Sequence, residues 1–180
     1  MKLVTLLAAD RTEHIGALFT SSTGKKEIVD FFEVHHNGIQ PLPQDTPITA
    51  LQNMVDFIKA QTVLIPWANT LLEKAKVGAL AAACVQSEND AILLAPVHHP
   101  LSCRDGYAFR QHVEAARKGR GVPMIPEFDD FPVFYFTNHL AITGPGEVYV
   151  MEKALERLDF ELEVAIVVGK EGRNIPANKA

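Results

Sequence analysis

The sequence contains only two cysteines, Cys84 and Cys103, among its 180 residues. Two cysteines do not make a disulfide framework, so the composition favours a reducing compartment and we expect a cytoplasmic protein. It also lacks a run of about 18 uninterrupted apolar residues, which excludes a candidate transmembrane helix. The apolar N-terminus is interrupted by Asp10 and Arg11, and no small-residue cleavage site follows it, so we expect no signal peptide.

Basic residues are too few to favour nucleic-acid binding. Lysine and arginine together number 17 against 22 acidic residues, which gives a net charge of -5. Affinity for a phosphate backbone or an anionic membrane comes from clustered cations, so we predict neither as a partner. Hydrophobic residues make up 47% of the chain and charged residues 22%, a balance that supports a buried core and excludes disorder.

The pattern of apolar runs and turns predicts an α+β, β-rich fold in two parts. Residues 1–95 are predicted to form a small N-terminal α/β domain, with strand-like runs over 2–8, 14–20 and 28–34. Helical spacing of apolar residues follows over 47–58 and 67–77.

The stretch from Pro96 to Pro100 is the predicted boundary, and residues 96–180 form the second predicted domain. A helix over 110–118 and an aromatic strand over 132–136 are expected there, and residues 158–168 carry the strongest strand pattern of the sequence. Most aromatic residues between 128 and 136 are expected in the core, and Tyr135 alone has a polar group that could reach a ligand.

Acidic and apolar residues alternate from position 159 to position 164. On a strand, Asp159, Glu161 and Glu163 share one face, with same-face neighbours about 7 Å apart. Carboxylates that close raise each other's pKa unless a cation neutralises them, and oxygen ligands suit Mg²⁺, Mn²⁺ or Ca²⁺. The alternative is a solvated edge strand whose charges prevent aggregation.

A second group gathers Asp105, Tyr107 and His112 within eight residues. Histidine titrates near neutral pH, which makes His112 a natural general base for activating a water molecule. The alternatives are that Asp105 caps a helix and that His112 is an ordinary surface residue. Cys103 close to His112 also allows a thiol nucleophile, although no local signature supports it and a buried, inert cysteine is favoured.

These segments, in this order, resemble the fumarylacetoacetate hydrolase family. The resemblance covers about residues 96–180, and residues 1–95 correspond only to a variable leading domain. It rests on four motifs: Arg104-Asp105-Gly106-Tyr107 through Arg110-Gln111-His112, Phe131-Pro132-Val133-Phe134-Tyr135, Ile142-Thr143-Gly144-Pro145-Gly146, and Asp159-Phe160-Glu161-Leu162-Glu163 through Gly172-Arg173-Asn174-Ile175-Pro176.

The resemblance implies a mixed β-sandwich roll that commonly dimerises. It implies an enzyme that uses a divalent cation to hydrolyse a carbon–carbon bond of a β-dicarbonyl acid, such as fumarylacetoacetate or an acylpyruvate, or a related isomerase or decarboxylase of aromatic catabolism. The implied site residues are the metal ligands Asp105, Glu161 and Glu163, the base His112, and the substrate contacts Tyr107, Tyr135 and either Arg117 or Arg120, of which we choose Arg120.

The family's catalytic domain continues well past Pro176, and that region carries a further aspartate ligand. We therefore expect the sequence to be an N-terminal portion with a truncated catalytic domain, inactive as the 180-residue chain alone. Such a portion should expose apolar surface unless another chain covers it. The alternative function is a truncated, non-catalytic paralogue that acts only as a partner-bound module.

Overall fold

Five strands form an antiparallel sheet in the computed structural model, which describes residues 1–180. They are β1 (Lys2–Leu7), β2 (Glu13–Thr20), β3 (Lys26–Asp30), β4 (Val85–Ser87) and β5 (Leu93–Leu94). Their spatial order is β4-β3-β2-β1-β5. The long β2 lies in the middle, paired with β1 on one side and β3 on the other, so it carries much of the buried surface.

Three helices accompany this sheet: α1 (Phe31–His36), α2 (Met54–Lys59) and α3 (Gln61–Lys76). Aromatic rings join them, because Phe31 stacks on Phe57 with ring centroids 5.9 Å apart and meets the edge of Trp67 at 5.6 Å. All three rings are buried. Offset and edge-on aromatic contacts of this kind add to the free energy gained by burying the rings.

The α3 helix buries one face against β2 and β3. Leu64, Ala68, Leu71 and Ala75 recur every three or four positions, and all four are buried. This spacing places them on one side of a helix. The helix predicted over 67–77 is therefore confirmed, and it begins at Gln61, six residues earlier than predicted.

The strand predicted over 28–34 is wrong in its second half. The strand ends at Asp30, whose Oδ1 accepts a hydrogen bond from the backbone N–H of Glu33 at 3.1 Å. An aspartate in this position satisfies one of the unpaired N–H groups at a helix start, so Phe31 begins α1 instead of continuing β3.

The chain divides into two compact units, one of residues 1–96 with 144–180 and one of residues 97–143. The second unit contains β6 (Arg104–Gly106) paired antiparallel with β7 (Phe134–Phe136), and α4 (Arg110–Gly119). The predicted helix over 110–118 is thus confirmed. The predicted division into domains 1–95 and 96–180 stays a prediction.

The aromatic residues of the second unit do not form the expected core. The side chains of Phe131, Phe134 and Phe136 are 57%, 48% and 69% exposed. Each strand of this ladder has only three residues, and α4 buries only Val113, so the unit offers few apolar partners to cover the rings.

Residues 144–180 return to the first unit, and Gly144 begins this return against β5. A Cβ atom at Gly144 would lie 2.3 Å from the carbonyl oxygen of Leu93, so only glycine fits this approach without a shift. Two short 3-10 helices, Glu152–Arg157 and Ala177–Lys179, are the regular structure of this segment.

The strand predicted over 158–168 is wrong, because the structure has no strand there. Phe160, Leu162, Val164 and Ile166 are 88%, 97%, 92% and 89% exposed. A strand forms only when a neighbouring backbone completes its ladder, and no described strand pairs with these residues. The expected exposed apolar surface lies here.

The predicted α+β class is confirmed, with 33% helix, 17% strand and antiparallel sheets. None of the helices has both the length and the apolar character that crossing a membrane requires.

Candidate active site

Asp105 and Tyr135 face each other across the β6–β7 ladder. They are directly opposite in the register, and the phenol of Tyr135 donates a hydrogen bond to Oδ2 of Asp105 at 2.6 Å. The backbone N–H of Tyr107 donates to the carbonyl oxygen of Val133 at 3.0 Å and extends the pairing beyond the strands. The ladder therefore brings together two predicted site residues that lie 30 positions apart in the sequence.

Tyr107 and His112 are in contact within the same unit. Their ring centroids are 5.8 Å apart and the rings are nearly perpendicular, at 79°. His112 lies in the first turn of α4 and is exposed, while the next residue, Val113, is fully buried and anchors the helix. The imidazole is thus oriented by a tyrosine edge and stays accessible to solvent, as a base that acts on water requires.

The two candidate arginines at the end of α4 differ in their contacts. The Nε of Arg117 donates to the carbonyl oxygen of Pro123. Arg120 follows the last residue of α4, is exposed, and its side chain makes no hydrogen bond or ion pair. The guanidinium of Arg120 therefore has all its donors without a partner, whereas that of Arg117 uses its Nε within the chain.

A shallow groove of ≈ 460 Å³ runs between α4 and residues 121–124. Glu114, Arg117 and Lys118 line its helix side, so cations outnumber acids there. The groove includes one of the two candidate arginines and none of the other predicted site residues.

Arg110, at the start of α4, is held by acids and has a structural role. It donates to Glu114 at 2.8 Å and to Asp129. The hydrogen bond to Asp129, together with the charges of Asp129 and Glu114, raises the pKa of Arg110 above its ordinary value. These pairs connect α4 to the 3-10 helix Pro126–Phe128 that precedes Asp129.

Glu161 and Glu163 lie in an exposed stretch of the first unit that has no regular secondary structure. Neither carboxylate makes a hydrogen bond or an ion pair, whereas Asp159 accepts a bond from the backbone N–H of Phe160 at 2.8 Å. Both glutamates are thus available as ligands. Asp105 belongs to the other unit, and the metal set of Asp105, Glu161 and Glu163 stays a prediction.

The sequence analysis missed the buried pair of His14 and Asp30. Nδ1 of His14 lies 2.8 Å from Oδ2 of Asp30, and the two side chains are 2% and 6% exposed. The signal was present, since a histidine at an inward position of an apolar strand needs a buried partner. The direct bond between Asp105 and Tyr135 was also missed, although each residue was named.

Comparison with known protein families gives a match for the C-terminal segment of the chain. Residues 102–180 match the model of the family described as fumarylacetoacetate (FAA) hydrolase, C-terminal. Residues 102–180 are therefore similar to the fumarylacetoacetate hydrolase family. This is a family of metal-dependent enzymes of the hydrolase and isomerase type, and its members commonly use divalent cations.

Two curated relatives come from the genus Pyrococcus. An uncharacterized protein of Pyrococcus abyssi is 32% identical over 90 residues, which covers 44% of this chain and 38% of the relative. An uncharacterized protein of Pyrococcus horikoshii is 30% identical over 90 residues, which covers 44% of this chain and 37% of the relative. The chain therefore spans less than two fifths of the length of each of these relatives.

Proposed function

We propose that the chain carries part of the active site of a divalent-metal-dependent hydrolase that cleaves a carbon–carbon bond of a β-dicarbonyl acid. A related isomerase or decarboxylase of aromatic catabolism would use the same site. The observation that carries the proposal is the family match over residues 102–180, because every predicted site residue falls within it. The substrate class is fumarylacetoacetate or an acylpyruvate.

The metal ligands in this proposal are Asp105, Glu161 and Glu163. The donor set fits a hard cation, because all three side chains offer carboxylate oxygens. Glu161 and Glu163 have no competing partner, and the bond from Tyr135 occupies only Oδ2 of Asp105, so Oδ1 remains for a cation. Mg²⁺, Mn²⁺ and Ca²⁺ all suit such ligands. When bound, the cation supplies positive charge beside the dicarbonyl oxygens of the substrate.

The proposed general base is His112, which takes a proton from water at a ring nitrogen. Its exposure gives water access, and the edge of Tyr107 restricts how the imidazole can rotate. A correctly placed base typically contributes about 10²–10⁴-fold to a rate. Tyr107 also offers its phenol to the substrate.

Arg120 is proposed to bind the carboxylate of the acid substrate. Its guanidinium has no other partner, and guanidinium and carboxylate groups match in a two-bond geometry. Tyr135 is proposed to contact the substrate while its hydroxyl bond to Asp105 orients that carboxylate.

A homodimer in a reducing, cytoplasmic compartment completes the proposal. The compartment is supported by the two cysteines, because Cys84 and Cys103 are both free. The homodimer rests on the family alone.

The test is to replace one ligand and measure turnover in the protein that contains this chain. Glu161→Gln keeps the size of the side chain and removes its charge, so Mg²⁺- or Mn²⁺-dependent loss of an acylpyruvate should be abolished. Glu171→Gln is the matched control, since Glu171 is exposed in the same segment and is not a proposed ligand. Unchanged activity of Glu161→Gln would refute the metal role.

A second variant separates the base from the ligands. His112→Ala should slow turnover by about 10²–10⁴-fold while calorimetric titration shows unchanged Mn²⁺ affinity, because a base acts without ligating the metal. Lost metal binding would mean that His112 has been given the wrong role. Activity that survives EDTA and is destroyed by alkylation would instead favour Cys103 as a nucleophile.

A further inference from the structure

A chain of hydrogen bonds links three parts of the first unit through the buried His14. Nδ1 of His14 lies 2.8 Å from Oδ2 of Asp30, at the end of β3, and Nε2 lies 3.1 Å from Oγ1 of Thr12, in the turn between β1 and β2. The hydroxyl of Thr12 in turn donates to Oδ1 of Asp10 at 2.6 Å. We call Asp10, Thr12, His14 and Asp30 the His14 bridge.

Counting protons along the His14 bridge fixes the charge of the imidazole. The Thr12 hydroxyl has one proton, which it gives to Asp10, so Nε2 of His14 must donate to the Thr12 oxygen. Asp30 is an acceptor when ionised, so Nδ1 must donate as well. The three bonds are made together only when both ring nitrogens carry a proton, that is, when His14 is an imidazolium.

Acidic side chains and an aromatic ring around His14 stabilise a positive charge on its imidazole. Acids approach from each neighbouring element: Asp10 from the turn between β1 and β2, Asp30 from the end of β3, and Glu33 from α1. The Phe32 ring stacks on the imidazole with centroids 4.3 Å apart, a position that also favours a cation. His14 itself is only 2% exposed, so water contributes little to its solvation.

Cys84 is the other titratable group beside these acids, at the end of the 3-10 helix Ala82–Cys84. Burial, followed by the charges of Glu33 and Asp30, raises the pKa of its thiol, so Cys84 stays neutral near physiological pH. It therefore adds no further negative charge beside Asp30 and Glu33.

We propose that the His14 bridge is a pH-sensitive device of the N-terminal unit. With both ring nitrogens protonated, His14 ties the β1–β2 turn to the first turn of α1. When the imidazole loses a proton, only one bond of Thr12 can remain. Either the Thr12 hydroxyl donates to Nε2 of His14 and its bond to Asp10 breaks, or it still donates to Asp10 and its bond to His14 breaks.

The direction of the pH effect follows from these contacts. Burial lowers the pKa of His14, but the hydrogen bond and charge of Asp30, with the charges of Glu33 and Asp10, outweigh it and raise the pKa above its ordinary value. The stabilisation is therefore complete below the pKa of the unfolded chain, about 6.5, and is lost as the pH rises through the raised pKa of the folded state. Each unit of pKa difference changes the unfolding equilibrium constant about tenfold.

Two measurements on the 180-residue chain test the proposal. Nitrogen-15 NMR of the histidine side chains should show both nitrogens of His14 protonated at pH 6, with a titration midpoint above that of an unfolded peptide. Urea denaturation should show a lower midpoint at pH 9 than at pH 6, and His14→Gln should lose the part of this difference that His14 causes. His139→Gln is the control, since His139 belongs to the second unit and the variant should keep the wild-type pH dependence of the His14 bridge.

Two outcomes would overturn the proposal. One is a singly protonated His14 ring at pH 6 in the folded chain, a measurement that needs no variant. The other is a pH dependence of unfolding that is the same in wild type and His14→Gln. If His14→Gln does not fold, Asp10→Asn is used in its place. The amide oxygen of asparagine still accepts the hydrogen bond from Thr12, but one of the negative charges that favour the imidazolium is removed. The NMR titration midpoint of His14 must then fall.

Discussion

Replacing Asp30 separates two roles that one side chain performs. Its Oδ1 accepts the backbone N–H of Glu33 and caps α1, while its Oδ2 pairs with His14. Asparagine is also a good helix cap, so Asp30→Asn keeps the first role and removes the charge that serves the second. Asp30→Ala removes both.

The expected losses differ because the His14 pair is buried. A hydrogen bond to a charged group contributes about 1.5–3 kcal/mol, so Asp30→Asn should reduce the free energy of unfolding by about that amount. Breaking a buried pair by deleting one partner costs about 3–5 kcal/mol, and the lost cap adds about 1 kcal/mol, so Asp30→Ala should be the more damaging change.

Urea denaturation at pH 6 measures both losses, with Asn53→Ala as the control. Asn53 caps α2 by accepting from the backbone N–H of Val55 at 2.9 Å, and it has no buried charged partner, so its loss should cost about 1 kcal/mol. If Asp30→Ala costs no more than Asn53→Ala, the pair with His14 contributes nothing beyond the cap, and the energetic reasoning for the His14 bridge fails.

Two further predictions concern residues 144–180. Gly144→Ala should destabilise the first unit by about 1–3 kcal/mol in urea denaturation, because the new Cβ would lie 2.3 Å from the carbonyl oxygen of Leu93. Gly119→Ala is the control, since Gly119 has open space around it and this variant should not be destabilised. Equal effects of the two variants would contradict the prediction. Apart from Phe160, the backbone amides of residues 158–168 make no hydrogen bond. Amide hydrogen exchange should therefore be fast over these residues and slow in β2. Protection across residues 158–168 would show that the predicted strand forms.

Local patterns predicted β1, β2, α3 and α4, whereas the helix predicted over 47–58 is wrong as a single helix, because Asn53 caps α2 and separates it from a 3-10 helix over Ile48–Leu51. The α3 and α4 helices were found because a helix makes its own backbone hydrogen bonds, so local spacing of apolar residues is sufficient evidence. The start of α1 was missed, because Phe31 to Val34 is as apolar as the strand before it, and one side-chain bond from Asp30 decides where the strand ends.

The sequence indicated the candidate site residues one at a time, but it did not indicate their contacts. Asp105, Tyr107 and His112 stand close together in the sequence, and the structure brings Tyr107 and His112 into ring contact. The bond between Asp105 and Tyr135 depends on the register of two short strands 30 positions apart, which no local pattern specifies.

The stretch from 158 to 168 shows what an alternating pattern can and cannot determine. Alternation places Glu161 and Glu163 on one face only if the backbone is a strand, and no strand forms over residues 158–168. It does not specify the neighbouring strand, and without one Leu162 is 97% exposed. The place of the two glutamates in one metal site therefore stays a prediction, and the apolar residues around them form a sheet only if another backbone pairs with theirs.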